Sequence, residues 1–181
     1  TSVLNYTLRE PLGVVGVIMP WNSPLFLTIM AVAPALAAGN TVIIKPSEVT
    51  PASMIEAVRL AEEVGIPPGV LNVVTGDRAT GEALIDHPGV AKISFTGGVE
   101  AGRAVGERAA RRFAKATLEL GGKSANIVFP DADLKQAEAG LLAGIFAAAG
   151  QTCVAGSRAL VHRSIHDDVM EILSERAAGI R

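Results

Sequence analysis

The run Val14-Val-Gly-Val-Ile-Met19 decides the fold, because it is short, rich in β-branched residues and almost continuously apolar. Such a run is typical of a strand that is covered on both faces of a parallel sheet. Similar runs follow at residues 41–45, 70–74, 91–95 and 116–120. Helix-like stretches separate them at residues 25–38, 52–64, 80–86 and 98–112. This alternation predicts an α/β fold, an open parallel sheet with helices on both faces.

The pattern restarts after a glycine-containing joint, Gly121-Gly122-Lys123. Further strands are predicted at residues 125–129 and 158–162, and further helices at residues 134–149 and 165–178. Short polar residues indicate the helix starts, and the predicted N-caps are Thr50, Asp131 and Ser164. Because this second part has too few elements for a domain, we expect one α/β unit followed by the start of another.

The composition favours a globular protein with a substantial core. Hydrophobic residues make up 49% of the chain, charged residues 19%, and the net charge is −2. This charge gives no reason to expect nucleic acid or a membrane as a partner. A lone cysteine cannot form an internal disulfide, no signal-peptide pattern opens the chain, and its most apolar window, 25–38, is too short for a membrane span. We therefore expect a soluble, cytoplasmic protein.

Cys153 is the only cysteine of the 181 residues. It follows a run of small residues, and Gly150 and Gly156 flank it at equal distances. Small neighbours and a flexible backbone would let another molecule approach the sulfur. A small buried hydrophobe is an equally good interpretation of the cysteine by itself. Upstream motifs are therefore needed to favour a nucleophile.

Ligands of open parallel sheets bind beyond the carboxyl ends of the strands, so polar groups at these ends are the candidates for binding. Asn22 follows the first strand between two prolines, where it is either an amide donor or an ordinary turn residue. Glu48 follows the second strand, where it suits either a ribose or solvent. Glu119 ends the fifth strand, as either a general base or a surface acid.

The fourth strand opens directly into a helix at Gly97-Gly98, and such a helix N-terminus suits an anionic group. The Gly-x-Gly-x-x-Gly dinucleotide fingerprint does not follow the first strand, so the strand ends alone give only a weak indication of a nucleotide. The three histidines have no metal-ligand spacing with Cys153 or with each other, and no metal is predicted.

Taken in order, these strand-end motifs resemble those of the aldehyde dehydrogenase superfamily over essentially the whole chain. The motifs are Pro20-Trp-Asn22, Lys45-Pro-Ser-Glu48, Phe95-Thr-Gly-Gly98, Glu119-Leu-Gly-Gly-Lys123 and Gly150-Gln-Thr-Cys153. The resemblance implies a Rossmann-like cofactor-binding domain followed by the start of a catalytic domain. It also implies oxidation of a small-molecule aldehyde to a carboxylic acid with NAD, NADP being possible.

The resemblance assigns the catalytic roles to three residues. Cys153 would attack the aldehyde carbon, and the side-chain amide of Asn22 with the backbone N–H of Cys153 would stabilise the oxyanion of the thiohemiacetal. Hydride transfer to the nicotinamide would leave a thioester, which Glu119 would hydrolyse by activating water. A CoA-acylating enzyme is an alternative, against which Glu119 argues. A non-catalytic nucleotide-binding fragment is another.

The resemblance also implies a set of cofactor-binding residues spread over the strand ends. Their positions are Met19, Pro20, Trp21, Lys45, Ser47, Glu48, Gly76, Gly81, Phe95, Thr96, Gly97, Gly98, Leu120 and Gly121. The family's enzymes are much longer, so the chain resembles an internal fragment that would be inactive alone. Residues 1–12 would be part of an oligomerisation arm, 13–121 the NAD-binding domain and 122–181 the start of the catalytic domain. The full-length protein would be a homodimer or homotetramer.

Overall fold

The computed structural model describes residues 2–180, and within it the chain divides into two compact units. The first unit runs to Leu120 and the second begins at Gly121. Residues 2–12 form no helix or strand and are exposed along their whole length.

The first unit is an open, fully parallel sheet, as the sequence predicts. Its strands lie in the order β3-β2-β1-β4-β5. The elements are β1 (Val14–Ile18), α1 (Pro24–Ala37), β2 (Thr41–Lys45), α2 (Ala52–Glu63), β3 (Leu71–Val73), α3 (Arg78–Asp86), β4 (Val90–Gly97), α4 (Val99–Arg111) and β5 (Lys115–Leu120). The predicted runs therefore match the strands to within a few residues.

Successive side chains of the central strands point to opposite faces of the sheet and pack into two separate cores. Val17 and Val42 pack with Met54 of α2 in the core on one face. Ile93 packs with Val105 of α4 in the core on the other face. Strands buried on both sides require an almost continuous apolar sequence, which is why β1 and β2 are recognisable from their residues alone.

Gly16 shows how closely the second face is packed in the middle of β1. A Cβ at this position would lie 3.0 Å from Cδ1 of Ile93 and 3.2 Å from Cγ of Leu84. The glycine thus lets α3 approach the central strand, since any larger residue would push Leu84 away.

The second unit contains a two-stranded parallel sheet and two helices. Its elements are β6 (Ala125–Val128), α5 (Leu134–Phe146), β7 (Arg158–Val161) and α6 (His166–Ala178). Val128, Leu141 and Val169 form its buried core. These strands and helices match the α/β elements predicted for this part of the chain.

The structure corrects the predicted helix ends. Pro51, not Thr50, is the N-cap of α2, because the Pro51 carbonyl accepts the N–H groups of Met54 and Ile55. Asp133, not Asp131, caps α5 by accepting from the backbone N–H groups of Lys135 and Gln136.

The last two helices also differ in length from the prediction. Helix α5 ends at Phe146 and does not reach Ala149, because Ala148 and Ala149 adopt left-handed backbone angles. Ser164 does not cap α6, since it lies in a short 3₁₀ turn in which its own N–H is accepted by Nδ1 of His162.

Candidate active site

The turn after β1 holds Asn22 between a buried strand end and a helix start. Met19 is buried, and its N–H donates to the carbonyl oxygen of Lys45 over 3.1 Å. Ser23 has a φ of 49° and precedes Pro24, the first residue of α1. Asn22 is half-buried between them, while Trp21 is exposed. The amide is thus carried by a short, conformationally restricted segment.

The corner after β2 contains a buried cation beside an exposed anion. Lys45 is 7% exposed and Glu48 is 64% exposed, with Nζ and Oε2 3.4 Å apart. The pKa of Glu48 is lowered, first by a hydrogen bond from its own backbone N–H and then by the Lys45 ammonium. Ser47 shapes the same corner, because its carbonyl accepts the N–H of Thr50. Glu48 is therefore held as a carboxylate next to a largely dehydrated ammonium.

A cavity of about 430 Å³ lies between α3 and α4, above the carboxyl ends of β1 and β4. The chain moves outward from β1 to β3 and then returns to the other side of β1 with β4, so this is the point at which the strand order reverses. Open α/β sheets bind their ligands at such points. The cavity volume lies in the range of small-ligand sites.

The cavity brings together four of the predicted cofactor residues. They are Lys45, Glu48, Gly81 and Phe95. A Cβ built on Gly81 would meet no atom within 4 Å, so the space in front of this glycine is open. The lining joins apolar side chains with a buried ammonium and a carboxylate, which fits the adenosine half of a dinucleotide: a flat base for the apolar walls and ribose hydroxyls for the charged pair.

The start of α4 places three further candidates together. Thr96 and Gly97 end β4, and Gly98 is the N-cap of α4. A Cβ on Gly97 would lie 2.6 Å from the Phe95 ring, so only glycine fits there without a shift. Gly98 has no side chain to cap the helix, and a Cβ there would meet nothing within 4 Å. An anionic group can therefore approach the backbone N–H groups at this helix end.

The other candidates of the first unit lie outside the cavity lining. Gly76 precedes α3 with a φ of 149°, and Leu120 packs against Gly102 of α4. Glu119 is exposed on β5, in register with Thr96 of β4. Its exposure is compatible with both interpretations that the sequence leaves open, a general base and a surface acid.

Cys153 belongs to the second unit, with Gly121, and is exposed. It lies in a turn that is closed by a hydrogen bond from the Ala155 N–H to the Thr152 carbonyl. The interpretation of Cys153 as a buried hydrophobe is therefore wrong. The catalytic candidates are divided along the chain, since Asn22 and Glu119 belong to the first unit.

The turn around Cys153 is fixed downstream and strained upstream. The Gly156 N–H donates to the Gly144 carbonyl, and a Cβ on Gly156 would clash with Nδ2 of Asn126. Upstream, Ala148 and Ala149 have φ angles of 50° and 54°. Left-handed alanines cost roughly 1–2 kcal/mol each, and such strain clusters at functional segments.

Sequence reasoning missed most of the cavity lining. The missed residues are Ile18, Asp77, Arg78, Glu82, Ile85, Glu100, Ala101, Ala104, Val105 and Arg108. A signal was present for part of this set, because Ala101 and Ala104 place two small side chains on one face of α4. Asn126, which contacts the Cys153 turn at Gly156, carried no such signal.

Within residues 2–180, no three His, Cys, Asp or Glu side chains are grouped as metal ligands. None of the helices described in that range has the length and apolar character needed to cross a membrane.

Comparisons with known proteins give a consistent result. The model of the aldehyde dehydrogenase family matches residues 1–181. The chain is 50% identical over 177 residues to (Z)-2-((N-methylformamido)methylene)-5-hydroxybutyrolactone dehydrogenase of Acinetobacter baylyi, covering 97% of this chain and 36% of that protein. It is 50% identical over 169 residues to phenylacetaldehyde dehydrogenase of Pseudomonas fluorescens, covering 93% and 34%.

Solved structures agree with the sequence comparisons. Betaine aldehyde dehydrogenase of Staphylococcus aureus, solved in complex with NAD⁺, superimposes with a TM-score of 0.91 at 44% identity. The match covers 95% of this chain and 34% of that structure. The chain thus spans about a third of the length of the curated relatives it matches. Since the family model matches the chain from end to end, the chain belongs to the aldehyde dehydrogenase family.

Proposed function

We propose that the complete protein carrying this chain oxidises an aldehyde to a carboxylic acid with NAD, using Cys153 as the nucleophile. The observation that carries the proposal is the exposed position of the cysteine in a turn fixed by Gly156. A structural cysteine would be buried, whereas a nucleophile must be reachable. The cavity at the strand-order reversal supports the cofactor part of the proposal.

The chemistry assigned to this chain starts at sulfur. The Cys153 thiolate attacks the aldehyde carbon and forms a tetrahedral thiohemiacetal. Its oxyanion accepts hydrogen bonds from the Asn22 side-chain amide and the Cys153 backbone N–H, and such a donor is worth about 2.7–4 kcal/mol. When bound, NAD supplies the acceptor for the hydride that leaves this carbon. Glu119 then takes a proton from the water that hydrolyses the resulting thioester.

The residues that would hold NAD follow from the strand ends. The Lys45 ammonium would donate to a ribose hydroxyl, and the Glu48 carboxylate would accept from one. The α4 start at Gly98 would receive the pyrophosphate. The remaining contacts are assigned to Met19, Pro20, Trp21, Ser47, Gly76, Gly81, Phe95, Thr96, Gly97, Leu120 and Gly121. Glu48 opposes a 2′-phosphate by its charge, so NAD is proposed as the preferred cofactor and NADP as a weaker one.

We also propose the assembly and location of the complete protein. Leu4, Tyr6 and Leu8 lie in an exposed segment without helix or strand and are 86%, 74% and 69% exposed. Such a segment suits pairing with another copy of the chain, as in a homodimer or homotetramer. Residues 2–12 would form this arm, and Thr1 lies outside the described residues. A cytoplasmic location is proposed because an exposed nucleophilic thiol requires reducing conditions.

The test is Cys153→Ala in the complete protein. Formation of NADH should fall by at least about 10³-fold, because the proposed thioester forms on this sulfur. The Kd for NAD should stay within twofold, since the proposed NAD contacts come from the strand ends. Ser157→Ala, in the same exposed segment, is the matched control and should retain activity. Steady aldehyde oxidation by the Cys153→Ala protein would overturn the proposal.

A further inference from the structure

The cavity between α3 and α4 is held together in two different ways along its depth. Near its floor, Ile85 of α3 and Val105 of α4 belong to the same buried cluster as Phe95. Elsewhere its walls are lined by small residues, Gly81 on α3 and Ala104 on α4, and a Cβ on Gly81 would touch nothing within 4 Å. Gly81 therefore makes no side-chain contact that could set the spacing of the two helices.

Charged side chains connect α3 with α4 instead. Arg108 of α4 lines the cavity, with Nη2 2.8 Å from Oε2 of Glu82 and Nη1 2.5 Å from Oδ2 of Asp86. Oε1 of the same glutamate is 2.7 Å from Nε of Arg78. Glu82 and Asp86 lie one turn apart on α3, so a single planar guanidinium bridges from α4 to two successive turns of the opposite wall.

We propose that Arg108 is a positioning residue that fixes the spacing of α3 and α4 and thereby sets the affinity for the adenosine half of the dinucleotide. This inference rests on the proposed NAD-binding function. A flat base binds most tightly to a cavity whose width already fits it, because helices that are free to move must be ordered when the ligand binds and this ordering lowers the affinity. Without Arg108, the Asp86 carboxylate would lose its cross-helix partner and would face Glu82 at a spacing where like charges destabilise a helix.

Asp86 makes the mechanism testable, because it does not line the cavity. Any effect of Asp86→Asn on binding must therefore pass through Arg108 and the position of the helices. We would measure the Kd for NAD and for ADP-ribose by calorimetry on the complete protein, together with kcat and KM for NAD. The variants are Arg108→Met, Arg108→Lys and Asp86→Asn, with the double variant Arg108→Met/Asp86→Asn.

Arg103→Met is the matched control, since Arg103 is exposed, lies 3.7 Å from Glu100 on its own helix and does not line the cavity. Arg108→Met should raise both Kd values and the KM for NAD about three- to tenfold, with kcat within twofold. Arg108→Lys should recover part of this loss, because an ammonium lacks the fork geometry. Asp86→Asn should raise both Kd values about two- to threefold in the otherwise wild-type protein, but it should not raise them further when it is added to Arg108→Met.

The possible outcomes separate the two proposals. If the wild-type protein binds NAD and Asp86→Asn has no effect while Arg108→Met does, Arg108 contacts the ligand directly and the positioning role is overturned. The same holds if Arg103→Met weakens binding as much as Arg108→Met. If the wild-type protein binds neither NAD nor ADP-ribose, the proposed function fails and this inference fails with it. Should Arg108→Met fail to fold, the exposed Asp86→Asn variant decides alone.

Discussion

The two units of the chain present their candidate functional residues on opposite kinds of structure. In the first, the cavity residues lie at strand ends and along two helices of a sheet that is buried on both faces. In the second, Cys153 lies in an exposed turn that follows two strained alanines. We infer from this difference that the first unit supplies a rigid scaffold for the proposed cofactor binding, whereas the proposed covalent chemistry takes place on a segment that must be accessible.

Glu119→Gln tests that division most severely, because Glu119 lies on the sheet but is proposed to serve the thioester of Cys153. Steady-state turnover should fall about 10²–10⁴-fold, since the hydrolytic water loses its base. Thioester formation should survive, giving a burst of roughly one NADH per active site in stopped-flow measurements. Glu107→Gln, an exposed acid of α4, is the control. Loss of the burst would show that Glu119 acts before hydrolysis.

Gly156→Ala is expected to affect the second unit alone. The added Cβ would clash with Nδ2 of Asn126, so the turn that carries Cys153 must shift. A displacement of this kind should lower kcat about ten- to a hundredfold and leave the Kd for NAD unchanged. Gly140→Ala is the matched control, because a Cβ on this exposed residue of α5 meets nothing within 4 Å. A raised Kd for NAD in the Gly156→Ala protein would contradict the independence of the two units.

Much of the fold and of the candidate site could be predicted from the sequence, because buried parallel strands need apolar runs and ligands bind at strand ends. The exact ends of the helices could not be predicted. Asp131 looks like a cap, but the Ala132 N–H donates to the Phe129 carbonyl, and this turn delays the helix until Asp133. Ala148 and Ala149 predict helix by propensity, yet both are left-handed. Local preference was overridden in each case by contacts or turns around the residue.

The cavity walls were missed for a different reason. Arg108 and Asp86 are 22 residues apart, and their contact depends on how two helices pack on one face of the sheet. No local period or spacing encodes such a pair. Lys45 and Glu48, three residues apart at one strand end, could be paired from the sequence because the corner itself brings them together.

Glu48→Gln should change cofactor selectivity without affecting the second unit. Removing the carboxylate should raise the ratio of kcat/KM for NADP to that for NAD about tenfold, because a 2′-phosphate no longer meets a like charge. Glu62→Gln, on the exposed side of α2, is the control. An unchanged ratio would exclude Glu48 from cofactor selection.

The pH dependence of that selectivity has a definite sign. The folded-state pKa of Glu48 lies below its usual value, owing to its own backbone N–H and then Lys45. The contribution of the Glu48 charge to this preference is therefore fully present above the ordinary glutamate pKa and is lost only as the pH falls through the lowered folded value. A preference that already declines near neutral pH would point to another titrating group, such as the 2′-phosphate of the ligand.

The variant with the smallest expected effect, Ala149→Gly, probes the backbone strain next to Cys153 most directly. Ala149 has a φ of 54°, and glycine adopts this conformation without steric cost. Ala149→Gly should therefore raise the free energy of unfolding by up to about 1 kcal/mol, the relief of strain exceeding the extra entropy of the unfolded glycine. Ala143→Gly, at an exposed helical position of α5, should lower it by about 1 kcal/mol. In urea unfolding of the complete protein, changes of opposite sign in the free energy of unfolding would establish that the segment before Cys153 is strained. Equal decreases for the two variants would mean that both alanines are held in helix and that the two units do not differ in strain.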